Sequence, residues 1–180
     1  MNAVGGSTRP YPVEWERHLV LNSDWRIFTR PITAADEPLV LTLLSRVNKG
    51  DLRLRFFGAI KEFSHPFLVS LTQIDYAKAM AFIAFDEASQ EPLGVVRMHR
   101  KDDGVSGEYA ILLQSDLKGR GLGWALMQLI IEYSRSEGLK QIVGQIMREN
   151  TIMLQMCREL GFEVMADAED HGIYDVTLDL

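Results

Sequence analysis

The chain has 180 residues, 47% of them hydrophobic and 24% charged, enough for one soluble globular domain with a real core. Its longest apolar run, Ala79 to Phe85, falls far short of the ~20 residues that span a bilayer, and MNAVGGSTRP lacks the apolar stretch of a secretory signal. A net charge of −6 disfavours a general nucleic-acid binder, and a single cysteine, Cys157, excludes an internal disulfide framework. His18, His65, His99 and His171 are scattered without metal-ligand spacing, so no metal is expected. The expected location is the cytoplasm.

Residues 1–24 are expected to be a linker or lead-in, punctuated by Gly5, Gly6, Ser7, Pro10 and Pro12 and lacking a periodic apolar face. Residues 25–180 are expected to form the domain. Arg26 to Pro31 predicts a strand, stopped by Pro31. Asp36 and Glu37 suit a helix start ahead of Leu39, Leu43, Leu44 and Val47. A second helix is expected over 50–60, with Leu52, Phe56 and Ile60 on one face, and a short third over His65–Leu71. Then the period changes. Ala79–Phe85, Leu93–Arg100 and Gly107–Gln114 predict three strands joined by polar turns.

The longest helical pattern runs through Leu122, Ala125, Leu126, Leu129, Ile130 and Tyr133, and Gly138 ends it. Gln141–Met147 predicts a strand and Asn150–Leu160 a helix closed by Gly161. Val164–Met165 and Tyr174–Leu178 complete the set as strands. This order implies an α+β domain: a mixed, mostly antiparallel sheet flanked by helices, with one βαβ crossover in its second half.

The informative stretch joins the third hairpin strand to the long helix. Gly119, Gly121 and Gly123 alternate there, with Lys118 just before the first and Arg120 between the first two. Alternating glycines let backbone N–H groups approach an anion, the helix N-terminus favours negative charge, and the two cations add to it. A phosphate-binding loop follows from that combination; a turn that merely tightens strand–helix packing is the plainer alternative. Arg97, Arg100 and Lys101 are candidates for a second positive patch. A Walker loop fails because Trp124 follows Gly123, and a G-x-G-x-x-G fingerprint fails in either register.

Lys118–Gly123 resembles the Q/R-x-x-G-x-G/A acyl-CoA signature of the GNAT acetyltransferase superfamily, with Lys118 in place of the usual Gln or Arg. Asn150, Met153, Cys157, Gly161 and Phe162 resemble its N-x-x-A-x-x-x-Y-x-x-x-G-F helix. Arg30-Pro31-Ile32, Asp36-Glu37-Pro38, Arg55-Phe56-Phe57, Leu71 to Tyr76 and Arg148-Glu149-Asn150 are together similar to one subgroup. It comprises the C-terminal domains of bacterial protein lysine acetyltransferases fused to an NDP-forming acyl-CoA synthetase-like region. This resemblance runs from about Trp25 to the C-terminus.

What the resemblance implies is a GNAT fold and acetyl transfer from acetyl-CoA, as co-substrate and without a metal, to a lysine on a partner protein. The implied partner class is an acyl-CoA synthetase. Glu108 is the implied general base, and its neighbours Tyr109, Ala110 and Ile111 are expected to desolvate it. Ile111, Leu112 and Leu113 would meet the pantetheine arm, with an N–H near Leu112 facing the thioester carbonyl. Lys118, Gly119, Arg120, Gly121, Leu122 and Gly123 would hold the pyrophosphate, and Asn150 the pantetheine amide or a helix cap. Cys157 stands where many relatives carry a tyrosine acid, and on a Met-rich face it fits core better. Gln73, Asp75 and Tyr76 are candidates for the acceptor side or for a capped loop. The acidic run Glu163 to Asp170 is solvated surface or an attractor of basic substrates. Two alternatives remain: a small-molecule amine acetyltransferase, and a non-catalytic acyl-CoA sensor.

Overall fold

The computed structural model describes residues 9–180. Eight strands form one sheet: β1 (Arg17–Leu21), β2 (Trp25–Pro31), β3 (Ala79–Asp86), β4 (Pro92–Arg100), β5 (Ser106–Leu113), β6 (Gln141–Met147), β7 (Glu163–Ala166) and β8 (Ile173–Asp179). Their order is β1-β2-β3-β4-β5-β6-β8-β7, and every pairing is antiparallel except β5 with β6. Five α-helices accompany it: α1 (Glu37–Ser45), α2 (Lys49–Phe56), α3 (His65–Thr72), α4 (Leu122–Ser136) and α5 (Thr151–Glu159). None is long and apolar enough to cross a membrane.

The two faces of the sheet carry separate cores. Met80, Phe82 and Ala84 of β3 pack toward α4 and α5, while Ala81, Ile83 and Phe85 pack toward α1, α2 and α3. Helices cover β3 on both faces, which is why its first seven residues are apolar without alternation.

The expected elements appear with shifted ends, and each shift has a local cause. Asn48 accepts the Asp51 N–H at 2.7 Å and starts α2, but Phe57 at φ 59° stops it before residue 60. Gly138 at φ +76° and Gly161 at φ +94° terminate α4 and α5 as expected. The lead-in reading of 1–24 needs revision within its described part. Residues Arg17–Leu21 pair with β2 as the edge strand, with burial alternating half-buried and exposed. Gly and Pro upstream masked that weak alternation. Residues 1–8, with Gly5, Gly6 and Ser7, lie outside the described ones.

The parallel pair β5–β6 makes only a short ladder, from Ser106 opposite Gln141 to Glu108 opposite Val143. Beyond it the strands part, and the Tyr109 ring fills the wedge above Gly144. A Cβ on Gly144 would stand 2.5 Å from Tyr109 Cε1. Gly144→Ala is therefore expected to destabilise the protein by about 1–3 kcal/mol, as overpacked cores do. Thermal unfolding checks this; an unchanged Tm would mean the ring is not wedged there.

Candidate active site

Because β6 diverges, the edge of β5 from Tyr109 to Leu113 loses its ladder on that side. Alternate N–H and C=O groups of a strand point to each side, so roughly half of these peptide groups face the gap. The gap is a cleft of about 180 Å³. Glu108, Ile111, Leu112, Leu113, Lys118 and Asn150, all singled out from the sequence, line it together.

Glu108 is exposed at this cleft, at the last rung of the β5–β6 ladder. Of the three strand neighbours expected to crowd it, only Ala110 shares its face. Tyr109 belongs to the α4–α5 core with Ile111 packed against it, whereas Glu108 shares the opposite face with Ala110 and Leu112.

The glycine-rich turn separates into three roles. Gly119 (φ +81°) and Gly121 (φ +87°) adopt left-handed backbone that side chains resist. Gly123 is instead a packing glycine: a Cβ there would meet Met156 Cε at 3.0 Å. Leu122, the first residue of α4, is fully buried. Gly119 to Gly123 do not line the cleft but lie just past Lys118, which does.

The two flanking cations already have partners. Lys118 Nζ donates to Asp51, which also accepts from Ser115 Oγ at 2.7 Å. Arg120 stacks on Trp25 with its guanidinium 3.8 Å from the ring centroid. Helix α2 thus has two ties: Asp51 joins it to the glycine-rich turn, and Arg53 pairs with Glu149 in the β6–α5 connection. Asn150 caps α5 by accepting the Met153 N–H at 3.3 Å and also lines the cleft, so both expected placements coexist.

Cys157 is fully buried, with the Tyr109 hydroxyl 3.1 Å from its Sγ. Burial pushes its thiol up, only partly opposed by that hydrogen bond, which suits a small core residue. Gln73, Asp75 and Tyr76 lie outside the cleft lining; Asp75 accepts the Ala77 N–H at 2.9 Å and Tyr76 donates to the Ile32 carbonyl. They are loop structure. Within the acidic run, Asp167 accepts the N–H groups of Glu169 and Asp170 in the β7–β8 connection.

The second positive patch does not assemble. Arg100 pairs with Glu137, Lys101 is exposed, and Arg97 turns to the α1–α3 face, where its Nη2 donates to the Leu71 carbonyl at 3.2 Å. Arg97 and Arg55 line a side pocket together, and Arg55 also lines the main cleft with Glu108. Sequence reading missed that pairing, although a lone arginine within the apolar run Leu93 to Met98 was its signal.

The Acetyltransferase (GNAT) family model matches residues 51–162, which hold the whole cleft lining. The chain is 28% identical over 152 residues to acetyltransferase PA5475 of Pseudomonas aeruginosa, spanning 83% of this chain and 82% of that protein. It is 37% identical over 75 residues to the L-methionine sulfoximine/L-methionine sulfone acetyltransferase of the same species, spanning 41% of this chain and 44% of that one. The GNAT domain of S. lividans PAT superposes with a TM-score of 0.88 at 23% identity, covering 95% of this chain and all of that one. At that identity the superposition speaks to the fold.

Proposed function

The chain belongs to the GNAT acetyltransferase family, and from that premise we propose that it acetylates a primary amine with Glu108 as general base. It is an N-acetyltransferase that uses acetyl-CoA. The exposed Glu108 carboxylate, seated where β5 and β6 part, carries the proposal.

Acetyl-CoA supplies an activated acyl carbon. The residues present suit such a ligand: an unladdered strand edge for an amide-bearing arm, then two left-handed glycines before a helix N-terminus for a pyrophosphate. Ile111, Leu112 and Leu113 offer the arm their peptide groups, and Asn150 stands across the cleft from them. Lys118 and the backbone of Gly119, Arg120, Gly121, Leu122 and Gly123 hold the phosphates, with Lys118 exchanging Asp51 for them. An alkyl ammonium near pKa ~10.4 cannot attack. Glu108, directly or through water, takes its proton and frees the nitrogen lone pair.

For the acceptor, the sequence resemblance supports the ε-amine of a lysine on a partner protein, with an acyl-CoA synthetase as the class to try first. The same resemblance suggests a fused synthetase-like region. Exposure of Glu108 is compatible with a lysine arm reaching in from another molecule's surface. A second reading, a small amine acceptor, is favoured by the 37% match to an enzyme named for an amino-acid derivative.

CoA release with mass spectrometry of the products decides between them. A purified acetyl-CoA synthetase and a panel of small amines are offered in parallel. Acetyl-lysine on the protein at rates above those of the small amines supports the first reading. Turnover confined to small amines replaces it with the second.

A further inference from the structure

Half-buried arginines in this protein are otherwise matched to carboxylates. Arg17 pairs with Glu132, Arg30 with Asp36, Arg53 with Glu149 and Arg100 with Glu137. Arg55 and Arg97 are half-buried too, yet neither forms an ion pair among the described residues. They are neighbours. Both line one side pocket, walled by apolar Val40, Leu44 and Leu112, under α1, α2 and α3.

Two like charges facing an apolar pocket are unfavourable unless something anionic joins them. Burial, then repulsion from Arg55, pushes the Arg97 guanidinium down to about 9. Burial likewise pushes Arg55 down to about 10, against the pull of Glu108. Hydrogen bonding leaves most of their donors available. Arg97 spends one on the Leu71 carbonyl, while Arg55 stacks on Phe56 at 4.4 Å.

The strand register places this pair relative to the base. Val95 faces Leu112, Arg97 faces Ala110 and His99 faces Glu108 across β4–β5, so Arg97 and Glu108 lie on the same face of the sheet. Arg55 lines both this side pocket and the main cleft at Glu108. Leu112 is likewise shared by both linings, so the side pocket adjoins the cleft at Glu108 on that face. The pocket holds only about 20 Å³, about the room of one water, so it admits the tip of a small anionic group at its mouth and excludes a phosphate.

We propose that Arg55 and Arg97 form a subsite for a carboxylate carried by the acceptor, which aligns its amine at Glu108. This rests on the amine-acetylation reading above and narrows its substrate class. Arginine forks match a carboxylate in two-point geometry, and the apolar walls strengthen the contact. Two sources supply that chemistry: the α-carboxylate of an amino-acid-like small amine, or an Asp or Glu side chain beside the target lysine of a protein.

Matched acceptors test it in two arms. One arm compares L-methionine sulfone and L-lysine with their carboxamides; the other compares peptides containing Lys-Glu with the same peptides containing Lys-Gln. The wild type is expected to prefer the carboxylate form in one arm by roughly 10–100-fold in kcat/KM, and that arm identifies the source. Arg55→Gln and Arg97→Met should reduce the preference to within about twofold. Arg97→Met should also keep or raise Tm, because it removes a buried cation without a counterion. A preference near one in both arms, or one that survives both substitutions, overturns the subsite. Calorimetric binding of the same pairs separates this from failure of the transfer reading. Acid-selective binding lost in the variants but without product keeps the subsite and sinks amine acetylation; non-selective binding sinks the subsite whatever the turnover.

Discussion

Glu108→Gln is expected to lower kcat for acetyl transfer by about 10²–10⁴-fold, the usual contribution of a positioned general base. The KM for acetyl-CoA should hold, because the glycine-rich turn and the inner part of β5 that would bind it are separate from this side chain. Glutamine keeps the size and hydrogen-bonding reach of the carboxylate but cannot take a proton. Since Glu108 is exposed at the cleft, the exchange should leave folding intact, and an unchanged thermal unfolding curve checks that.

The pH dependence discriminates further. Near pH 7.4 only about one alkyl amine in a thousand is unprotonated, and this fraction rises tenfold per unit toward ~10.4. The deficit of the variant should therefore shrink steadily as pH rises toward 10, because solvent then performs the deprotonation. CoA release followed from pH 6.5 to 10 measures it. A deficit independent of pH would assign Glu108 to positioning the acceptor, and full activity in the variant would remove it from the mechanism.

The second large effect concerns stability. Asp36 is 3% exposed and accepts both Nη atoms of Arg30, at 2.8 and 2.7 Å, together with the Thr33 N–H at 2.7 Å. This cluster pins the end of β2 to the start of α1, the helix that walls the side pocket. Asp36→Asn breaks a buried fork and strands a half-buried guanidinium, at a cost of about 3 kcal/mol. That corresponds to roughly 6–12 °C in Tm for a chain of this size.

Its pH signature follows from the same contacts. Burial alone would push the Asp36 carboxyl up, but the Arg30 and Thr33 hydrogen bonds outweigh it and hold it below the usual carboxylate range. A depressed folded value means the stabilisation is complete above the ordinary carboxylate pKa. It is lost as pH falls through the folded value. The Tm gap between wild type and Asp36→Asn should thus be widest near neutrality and narrow only in acid, below the ordinary carboxylate pKa of ~3.9. A gap that stays constant into acid would assign the loss to packing instead.

Local pattern made much of this protein legible. The helical spacing of Leu122 to Tyr133, the glycine stops at 138 and 161 and the unbroken apolar run of β3 located elements that the fold retains. The alternating glycines signalled the turn before α4 because left-handed backbone is written in residue type. Asn150 was legible as a cap for the same local reason. By contrast β1, short and alternating behind proline and glycine, was hidden in the lead-in, since an edge strand needs only one partner and carries little periodic signal.

What the chain encodes by itself is therefore short-range: which residues turn, which cap, which face is apolar, and which two motifs share the order typical of an acetyl-CoA enzyme. Tertiary structure alone decided how charges are shared. It gave Lys118 to Asp51, laid Arg120 on Trp25, left Glu108 exposed by alternation, and brought Arg55 of α2 beside Arg97 of β4 with no ion pair to either among the described residues. The reason is physical. Helix and strand propensity act over a few residues, but an ion pair or a buried cation depends on which distant elements the packing of two apolar faces brings within a few ångströms.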